Sequence, residues 1–121
     1  MLVAVVTGSR DWRDSQAIHD ALAGAEALIV GDCPTGADAI AYWYADFSNI
    51  IPIVCRCKGP ARTPENLKAR NEDIARTAAL YREDGFDVQC FAFPLKGSGT
   101  WHCVGRLRKR NFHVKIIGER R

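Results

Sequence analysis

Apolar residues are distributed along the chain with two different spacings. Short apolar runs, rich in β-branched residues, occur at residues 2–6, 27–30, 50–54, 88–93 and 113–117. Such runs are typical of strands that are buried on both faces of a parallel sheet. Between them, apolar residues recur every three or four positions, which is the spacing of an amphipathic helix. The pattern therefore predicts five strands that alternate with four helices.

The first two helices are predicted from residues that favour helix N-termini. Asp14 belongs to a residue type that caps helices and precedes the first one. Thr35 or Gly36 opens the second. We expect the apolar face to hold Ile18, Ala21 and Leu22 in the first helix, and Ile40, Trp43, Tyr44 and Phe47 in the second.

The third and fourth helices have equally clear limits. Thr63 followed by Pro64 predicts a helix start, because proline is favoured in the first turn behind a threonine cap. This helix should run to about Asp84 and end at Gly85, after a loop at residues 56–62. The fourth helix should cover residues 100–110. Its expected inward side chains are Trp101, Val104 and Leu107.

Alternation of strands and helices predicts an α/β fold, namely a Rossmann-like three-layer sandwich with helices on both faces of a parallel sheet. Right-handed crossovers favour the strand order 3-2-1-4-5 in a single domain of residues 1–121. Pro52 indicates that the third strand lies at an edge, because proline cannot donate a ladder hydrogen bond. In this order a crevice opens at the carboxyl ends of strands one and four, where ligands bind in such sheets.

Two glycine-bearing turns follow the strands that border this crevice. One contains Gly8, Ser9, Arg10 and Asp11, and the other contains Gly97, Ser98, Gly99 and Thr100. Glycine permits close approach of a ligand, and a helix start offers N–H groups to an anion. The turns predict a phosphate site, in which Asp11 either caps the first helix or holds a ribose hydroxyl. Trp12 either stacks on a base or is a buried anchor.

A third turn and one helical pair complete the predicted site. The turn after the second strand contains Gly31, Thr35, Gly36, Ala37 and Asp38. Thr35, Gly36 and Asp38 are expected to form the floor of the site or a ribose contact, although Asp38 would equally compensate a helix dipole. Arg70 and Asn71 lie on the third helix, and Asn71 falls on its inward face by its spacing from Leu67. Asn71 either binds the ligand or holds a neighbouring loop.

Composition limits the class of protein. The chain has 121 residues, of which 47% are hydrophobic, and a net charge of +3. Its apolar runs are too short to span a bilayer, so we expect no membrane contact. Five cysteines without a secretory signal indicate reduced thiols and a cytoplasmic location. We favour free thiols over a metal site, because the spacing of Cys55, Cys57, His102 and Cys103 is not that of a zinc motif.

The C-terminal part of the chain is strongly basic. Glu119 alone opposes its cations, which either form a surface for anions or complement a helix C-terminus. These cations are Lys96, Arg106, Arg108, Lys109, Arg110, Lys115, Arg120 and Arg121.

The segments described above resemble the SLOG superfamily of Rossmann-like nucleotide-binding proteins. The resemblance is to its small bacterial and phage proteins that begin with Gly-Ser-Arg-Asp. It covers most of the chain, and its segments are residues 8–12, 31–38, 70–71 and 98–100. It implies a nucleotide, NAD or an ADP-ribose derivative as the ligand.

Two relatives within this superfamily supply alternative functions. The LOG phosphoribohydrolases, which release a base from a nucleotide, carry a glutamate that would fall at Cys103 here. Without this carboxylate the residue for acid–base chemistry is missing from its usual place. DprA-type proteins bind single-stranded DNA, but such binders combine basic grooves with several aromatics. After Lys96 the chain offers only Trp101 and Phe112.

The sequence thus favours binding or sensing of a nucleotide-type small molecule, without a cofactor or metal. An N-glycosidic hydrolase is the first alternative, and nucleic-acid binding is the second. Exposed aromatic side chains on the second helix would indicate a homodimer face.

Overall fold

A computed structural model of the protein describes residues 1–59, 61–96 and 99–118, and within them five strands alternate with four helices. The elements are β1 (Leu2–Gly8), α1 (Ser15–Ala21), β2 (Ala27–Gly31), α2 (Gly36–Phe47), β3 (Ile51–Cys55), α3 (Pro64–Glu83), β4 (Asp87–Phe93), α4 (Thr100–Lys109) and β5 (Val114–Ile116). Of the residues discussed above, Gly97, Ser98, Glu119, Arg120 and Arg121 lie outside the described part, as does Pro60 in the predicted loop.

The strands form one parallel sheet in the order β3-β2-β1-β4-β5, which confirms the predicted fold and strand order. At the centre of the sheet, Val5 pairs with Ile29 on one side and with Cys90 on the other. Pro52 lies on the edge strand β3, opposite Leu28 of β2. The carboxyl ends of β1 and β4 are therefore adjacent.

Two hydrophobic cores lie on opposite faces of this sheet, because side chains alternate along each strand. On one face Val3 and Val5 pack with the buried residues of α3 and α4. On the other face Ala4 and Val6 pack with those of α1 and α2. Because each helix follows a strand of a parallel sheet, every helix begins near the carboxyl edge of the sheet and brings its first turn to that edge.

The predicted caps hold two of these helix starts. The Asp14 side chain accepts from the Ala17 N–H at 3.2 Å, and Thr63 accepts from the Asn66 N–H at 3.2 Å. Because Asp14 occupies the N-cap of α1, the alternative that Asp11 caps this helix is wrong.

The buried face of α2 differs from the prediction. Its buried residues are Ala37, Asp38, Ala41 and Ala45, while Trp43 is 66% exposed and Phe47 is 89% exposed. A row of alanines lets the helix lie close to the sheet, so the large side chains are displaced from the contact. Of the four residues predicted to face inward, Ile40 and Tyr44 pack at its margin, whereas Trp43 and Phe47 do not.

The remaining elements differ from the prediction by one or two residues, and β1 extends two residues further, to Gly8. Strand β3 begins at Ile51, and Ile50 is a buried residue before it. Helix α3 ends at Glu83, with Asp84 as its C-cap. In the parts of the chain that the structure describes, no helix is both long enough and apolar enough to span a membrane.

Candidate ligand-binding site

A cavity of about 530 Å³ opens at the carboxyl ends of β1 and β4, between the first turns of α3 and α4. It lies where the strand order reverses, which is the position predicted for a ligand crevice. The described residues that line it are Thr7, Gly8, Ser9, Arg10, Asp11, Cys33, Asp38, Arg62, Leu67, Arg70, Asn71, Lys96, Gly99 and Thr100.

Most of the residues predicted for the site meet in this cavity. The turn after β1, the pair on α3 and the start of α4 are far apart in sequence and become its walls. The predicted residues present are Gly8, Ser9, Arg10, Asp11, Asp38, Arg70, Asn71, Gly99 and Thr100. Gly97 and Ser98 lie outside the described residues. Gly31, Thr35, Gly36 and Ala37 do not line the cavity.

The start of α2 supports the turn after β1 from behind. The Thr35 hydroxyl donates to the Arg10 carbonyl at 3.0 Å, and the Ala37 N–H donates to the Ser9 carbonyl at 3.0 Å. Gly36 has φ +72°, and a Cβ there would lie 2.3 Å from the Ser9 carbonyl oxygen. The donor groups at this helix start are thus used within the protein, so these residues position Ser9 and Arg10.

Two other glycines also make room for protein atoms. A Cβ on Gly8 would lie 2.5 Å from the Ala37 Cβ and 2.9 Å from the Phe93 carbonyl oxygen. A Cβ on Gly31 would lie 2.7 Å from the Asp38 Oδ2. The absence of a side chain at these two glycines is needed for the packing of α2 and its carboxylate, and Gly8 also lines the cavity. Gly99 differs, because a Cβ there would meet no described atom within 4 Å apart from its chain neighbours.

Arg70, in the cavity wall, links two acidic residues, Asp32 and Asp38. Its Nη1 donates to Asp32 Oδ1 at 3.2 Å and lies 3.9 Å from Asp38 Oδ2. Arg62 also pairs with Asp32, at 3.3 Å. The side chain of Arg70 is only 11% exposed, so this is a largely desolvated charge cluster.

The pKa values of the two carboxyl groups in this cluster are shifted in opposite directions. Burial raises the pKa of Asp38 to about 6, although Arg70 and the Cys33 N–H oppose this rise. Burial also acts to raise the pKa of Asp32, but hydrogen bonds from the Cys57 N–H and Arg70, with the charge of Arg62, hold it below its ordinary value. Asp32 is therefore the permanent anion, and Asp38 titrates near neutrality.

Asn71 connects this cluster to α4. Its Oδ1 accepts from Arg70 Nη2 at 3.0 Å, because a guanidinium can only donate. The Asn71 amide nitrogen must then donate to His102 Nδ1, which is 3.1 Å away. This arrangement requires a His102 with its proton on Nε2. Burial, followed by the charges of Lys68 and Arg106, lowers the pKa of His102, which keeps the ring neutral. The structure therefore shows Asn71 fixing two neighbouring side chains.

Two cationic side chains that line the cavity differ from Arg70, because no described acidic residue pairs with them. Within the described part of the chain, Arg10 and Lys96 form no ion pair, and both side chains are exposed. The α4 N-terminus, at Gly99 and Thr100, opens on the same space, and Gly99 is its N-cap residue. Cationic side chains and a helix N-terminus together favour an anion.

A known protein aligns with almost the whole chain. The Gene 61 protein of Mycobacterium phage D29 is 30% identical over 128 residues, and the alignment covers 96% of each chain. The chain belongs to the family of this phage Gene 61 protein. No family profile and no solved structure matches it.

In this Gene 61 family protein, sequence reasoning missed several cavity residues. Arg62 and Lys96 lie in the loops that follow β3 and β4, and Cys33 lies in the loop after β2. The predicted strand order already places all three loops at the carboxyl edge. That signal was available, whereas the direction of each side chain was not.

Other candidate residues lie away from solvent. Trp12 is 8% exposed, packs edge-on against Phe93 with ring centroids 5.3 Å apart, and donates its Nε1–H to the Asp14 carbonyl at 2.9 Å. It is a buried anchor, as one of the two alternatives held. Burial raises the pKa of Cys103 to about 12, so this thiol stays neutral. Among the described residues, no group of His, Cys, Asp or Glu could hold a metal ion.

The basic residues at the end of α4 are partly neutralised. Arg106 and Arg110 both pair with Glu72, and Arg110 Nη2 lies 2.7 Å from its Oε1. They lie in or beyond the last turn of α4, and the cavity lies at its first. Of the basic residues from Lys96 onward in this Gene 61 family protein, Lys96 lines the cavity, whereas those at the end of α4 do not.

Proposed function

We propose that this protein binds a nucleotide-type ligand, such as a nucleotide, NAD or an ADP-ribose derivative, as a sensor or binding protein. One observation carries the proposal: Arg10 and Lys96, both without an ion pair among the described residues, line the same cavity as the start of α4. Phosphate oxygens would accept from both cations and from N–H groups of the helix start.

The rest of the cavity fits the same ligand. Asp11 is exposed and lies beside Arg10, where its carboxylate would accept from a ribose hydroxyl. Arg70, which lines the cavity, contributes positive potential, but Asp32 and Asp38 offset it. The volume of about 530 Å³ lies within the range of small-molecule sites, roughly 300–1,000 Å³.

Membership of the SLOG superfamily and a cytoplasmic location are part of the proposal. The strand order and the meeting of the Gly8, Arg70 and Gly99 segments in one cavity support the first. Five cysteines that are all unpaired support the second.

Binding is favoured over catalysis because of the residue at the position of the LOG glutamate. Cys103 is fully buried, and burial raises its pKa to about 12, so it cannot exchange a proton with a ligand near neutral pH. The neighbouring His102 is held by Asn71 and does not line the cavity.

An N-glycosidic hydrolase is the second candidate, and Asp38 is the observation that favours it. A buried carboxyl that lines the cavity and titrates at about pH 6 has the properties of a general acid. Chromatography of AMP incubated with the protein tests this candidate. Release of free adenine that is lost in Asp38→Asn would establish hydrolysis, and intact AMP would leave binding alone.

Nucleic-acid binding ranks below both. Arg106 and Arg110 pair with Glu72, and Trp101 packs against the core rather than offering a stacking surface. Salt-dependent retention of a single-stranded oligonucleotide, lost on charge reversal at Arg108 and Lys109, would favour this function instead.

A thermal-shift screen with AMP, ADP, NAD and ADP-ribose tests the proposed binding. A ligand present at 100 times its Kd stabilises a protein by about 2.7 kcal/mol, which would raise Tm by on the order of 10 °C. Gly99→Asp should abolish the shift, because it adds a negative charge at the helix start. Apart from the chain neighbours, no atom of the described residues lies within 4 Å of the added Cβ, so we expect the variant to fold.

Gly105→Asp is the matched control, because Gly105 lies on the same helix, also faces open space and does not line the cavity. It should retain the full shift. If no ligand raises Tm, or if both variants respond like the original chain, the proposed site is wrong.

A further inference from the structure

A second cavity, of about 400 Å³, lies beside the first at the carboxyl ends of β2 and β3. Its lining includes the end of β2 at Gly31, the edge-strand residue Val54, and Arg56 just beyond β3. The other wall is helix α2, which contributes Tyr42 and Trp43.

The two cavities are neighbours along one edge of the sheet. Cys33 and Asp38 line both of them, so the two cavities share part of their walls. Volumes of about 530 and 400 Å³ suit two parts of one small molecule.

The walls of the second cavity are chemically unlike those of the first. Trp43 and Tyr42 form a T-shaped pair, with ring centroids 5.3 Å apart at 82°. Trp43 is nevertheless 66% exposed, so much of its indole surface is accessible to a ligand. Val54 adds aliphatic surface, and the exposed Arg56 adds a cation that can lie against a planar group. Exposed aromatic faces of this kind stack well on flat heteroaromatic rings.

We propose that the second cavity is the base subsite of the nucleotide-type ligand, with Trp43 as its stacking surface. This inference rests on the proposed function. In it the phosphate occupies the cavity with Arg10 and Lys96, the sugar crosses at Cys33 and Asp38, and the heteroaromatic base lies on Trp43.

Phe47 provides a way to distinguish a base subsite at Trp43 from a subunit contact on α2. It lies one turn after Trp43 on α2 and is 89% exposed, but it does not line the cavity. A dimer face on α2 would need both aromatic residues, whereas a base subsite needs only Trp43.

Affinities for AMP and for ribose 5-phosphate, measured by calorimetry, test the inference. Base–aromatic stacking lost on alanine substitution typically weakens binding by roughly 5- to 150-fold. Trp43→Ala should therefore weaken AMP binding by about that factor and leave ribose 5-phosphate binding unchanged. Trp43→Phe should restore most of the AMP affinity. Phe47→Ala is the matched control and should bind both ligands like the original chain.

Each other outcome contradicts the inference in its own way. If Trp43→Ala binds AMP as tightly as the original chain, the base lies elsewhere while the phosphate site stands. If it loses both ligands equally, Trp43 acts on the fold. If Phe47→Ala behaves like Trp43→Ala and the mass of the particle in solution falls, the patch is a subunit contact. If the original chain binds neither ligand, the proposed function itself fails, and this inference fails with it.

Discussion

Replacing Asp38 with asparagine should remove a pH-dependent loss of stability. Asp38 is buried, and its pKa is raised from 3.8 to about 6, mainly by burial. Asparagine has nearly the same shape, and its carbonyl oxygen can still accept from the Cys33 N–H, which lies 3.2 Å from the carboxylate. The substitution therefore changes charge more than packing.

The direction of the change in stability with pH follows from the protons that Asp38 binds in the folded and unfolded states. Between pH 3.8 and about 6 the folded protein keeps a proton on Asp38 that the unfolded chain has released. Stability from this group is full below pH 3.8 and is lost as the pH rises through about 6. One pKa unit corresponds to about 1.4 kcal/mol, so the loss is about 3 kcal/mol. Arg70 remains paired with Asp32 in the variant, which limits the cost of removing its second partner.

Urea unfolding followed by circular dichroism, at several values from pH 4 to pH 7.5, measures the effect. The free energy of unfolding of Asp38→Asn minus that of the original chain should rise by about 3 kcal/mol across this range. Asp46→Asn, at an exposed position on the same helix, should give a flat difference. Parallel curves for Asp38→Asn and the original chain would refute the claim that Asp38 is buried with a raised pKa.

Three further substitutions test the surroundings of the site. Gly31→Ala should destabilise the fold by about 1–3 kcal/mol in urea unfolding, because its Cβ would lie 2.7 Å from Asp38 Oδ2, whereas Gly105→Ala should stabilise by about 0.5–1 kcal/mol. Equal effects would contradict the packing role of Gly31. Lys68→Ala should raise the pKa of His102 in an NMR titration, because one of the charges that lower it is removed; an unchanged pKa would leave burial and Arg106 as the causes. Glu72→Gln should cost up to about 1 kcal/mol in low salt and less in high salt, and a loss that does not depend on salt would contradict an ionic contribution.

The sheet could be predicted from sequence because its signals are local and agree with one another. The apolar runs, Pro52 and the caps at Asp14 and Thr63 each act over a few residues, and handedness then restricts the strand order. The α2 face could not be predicted in the same way. Hydrophobicity favours Trp43 and Phe47 as inward residues, but close packing against a sheet selects alanine, and that distance is a tertiary property.

The sequence predicted which loops form the site, but it did not predict the contacts that their side chains make. The strand order was sufficient to bring Gly8–Asp11, Arg70 and Gly99 together. The role of each glycine could not be predicted from sequence. A glycine is needed both where a ligand approaches the backbone and where Ala37 or Asp38 packs against it, so the residue type does not distinguish the two roles. Arg62 and Lys96 were missed because loop position does not give side-chain direction.

Backbone amide shifts on addition of AMP test the central claim most directly. In a ¹⁵N-labelled sample, the largest shifts should fall on Arg10, Asp11, Gly99 and Thr100, which line the phosphate cavity. The amides of Arg108 and Lys109, at the far end of α4, should not move. Shifts confined to that end of the helix, or none at ligand concentrations up to several millimolar, would contradict a phosphate site at the carboxyl edge of the sheet.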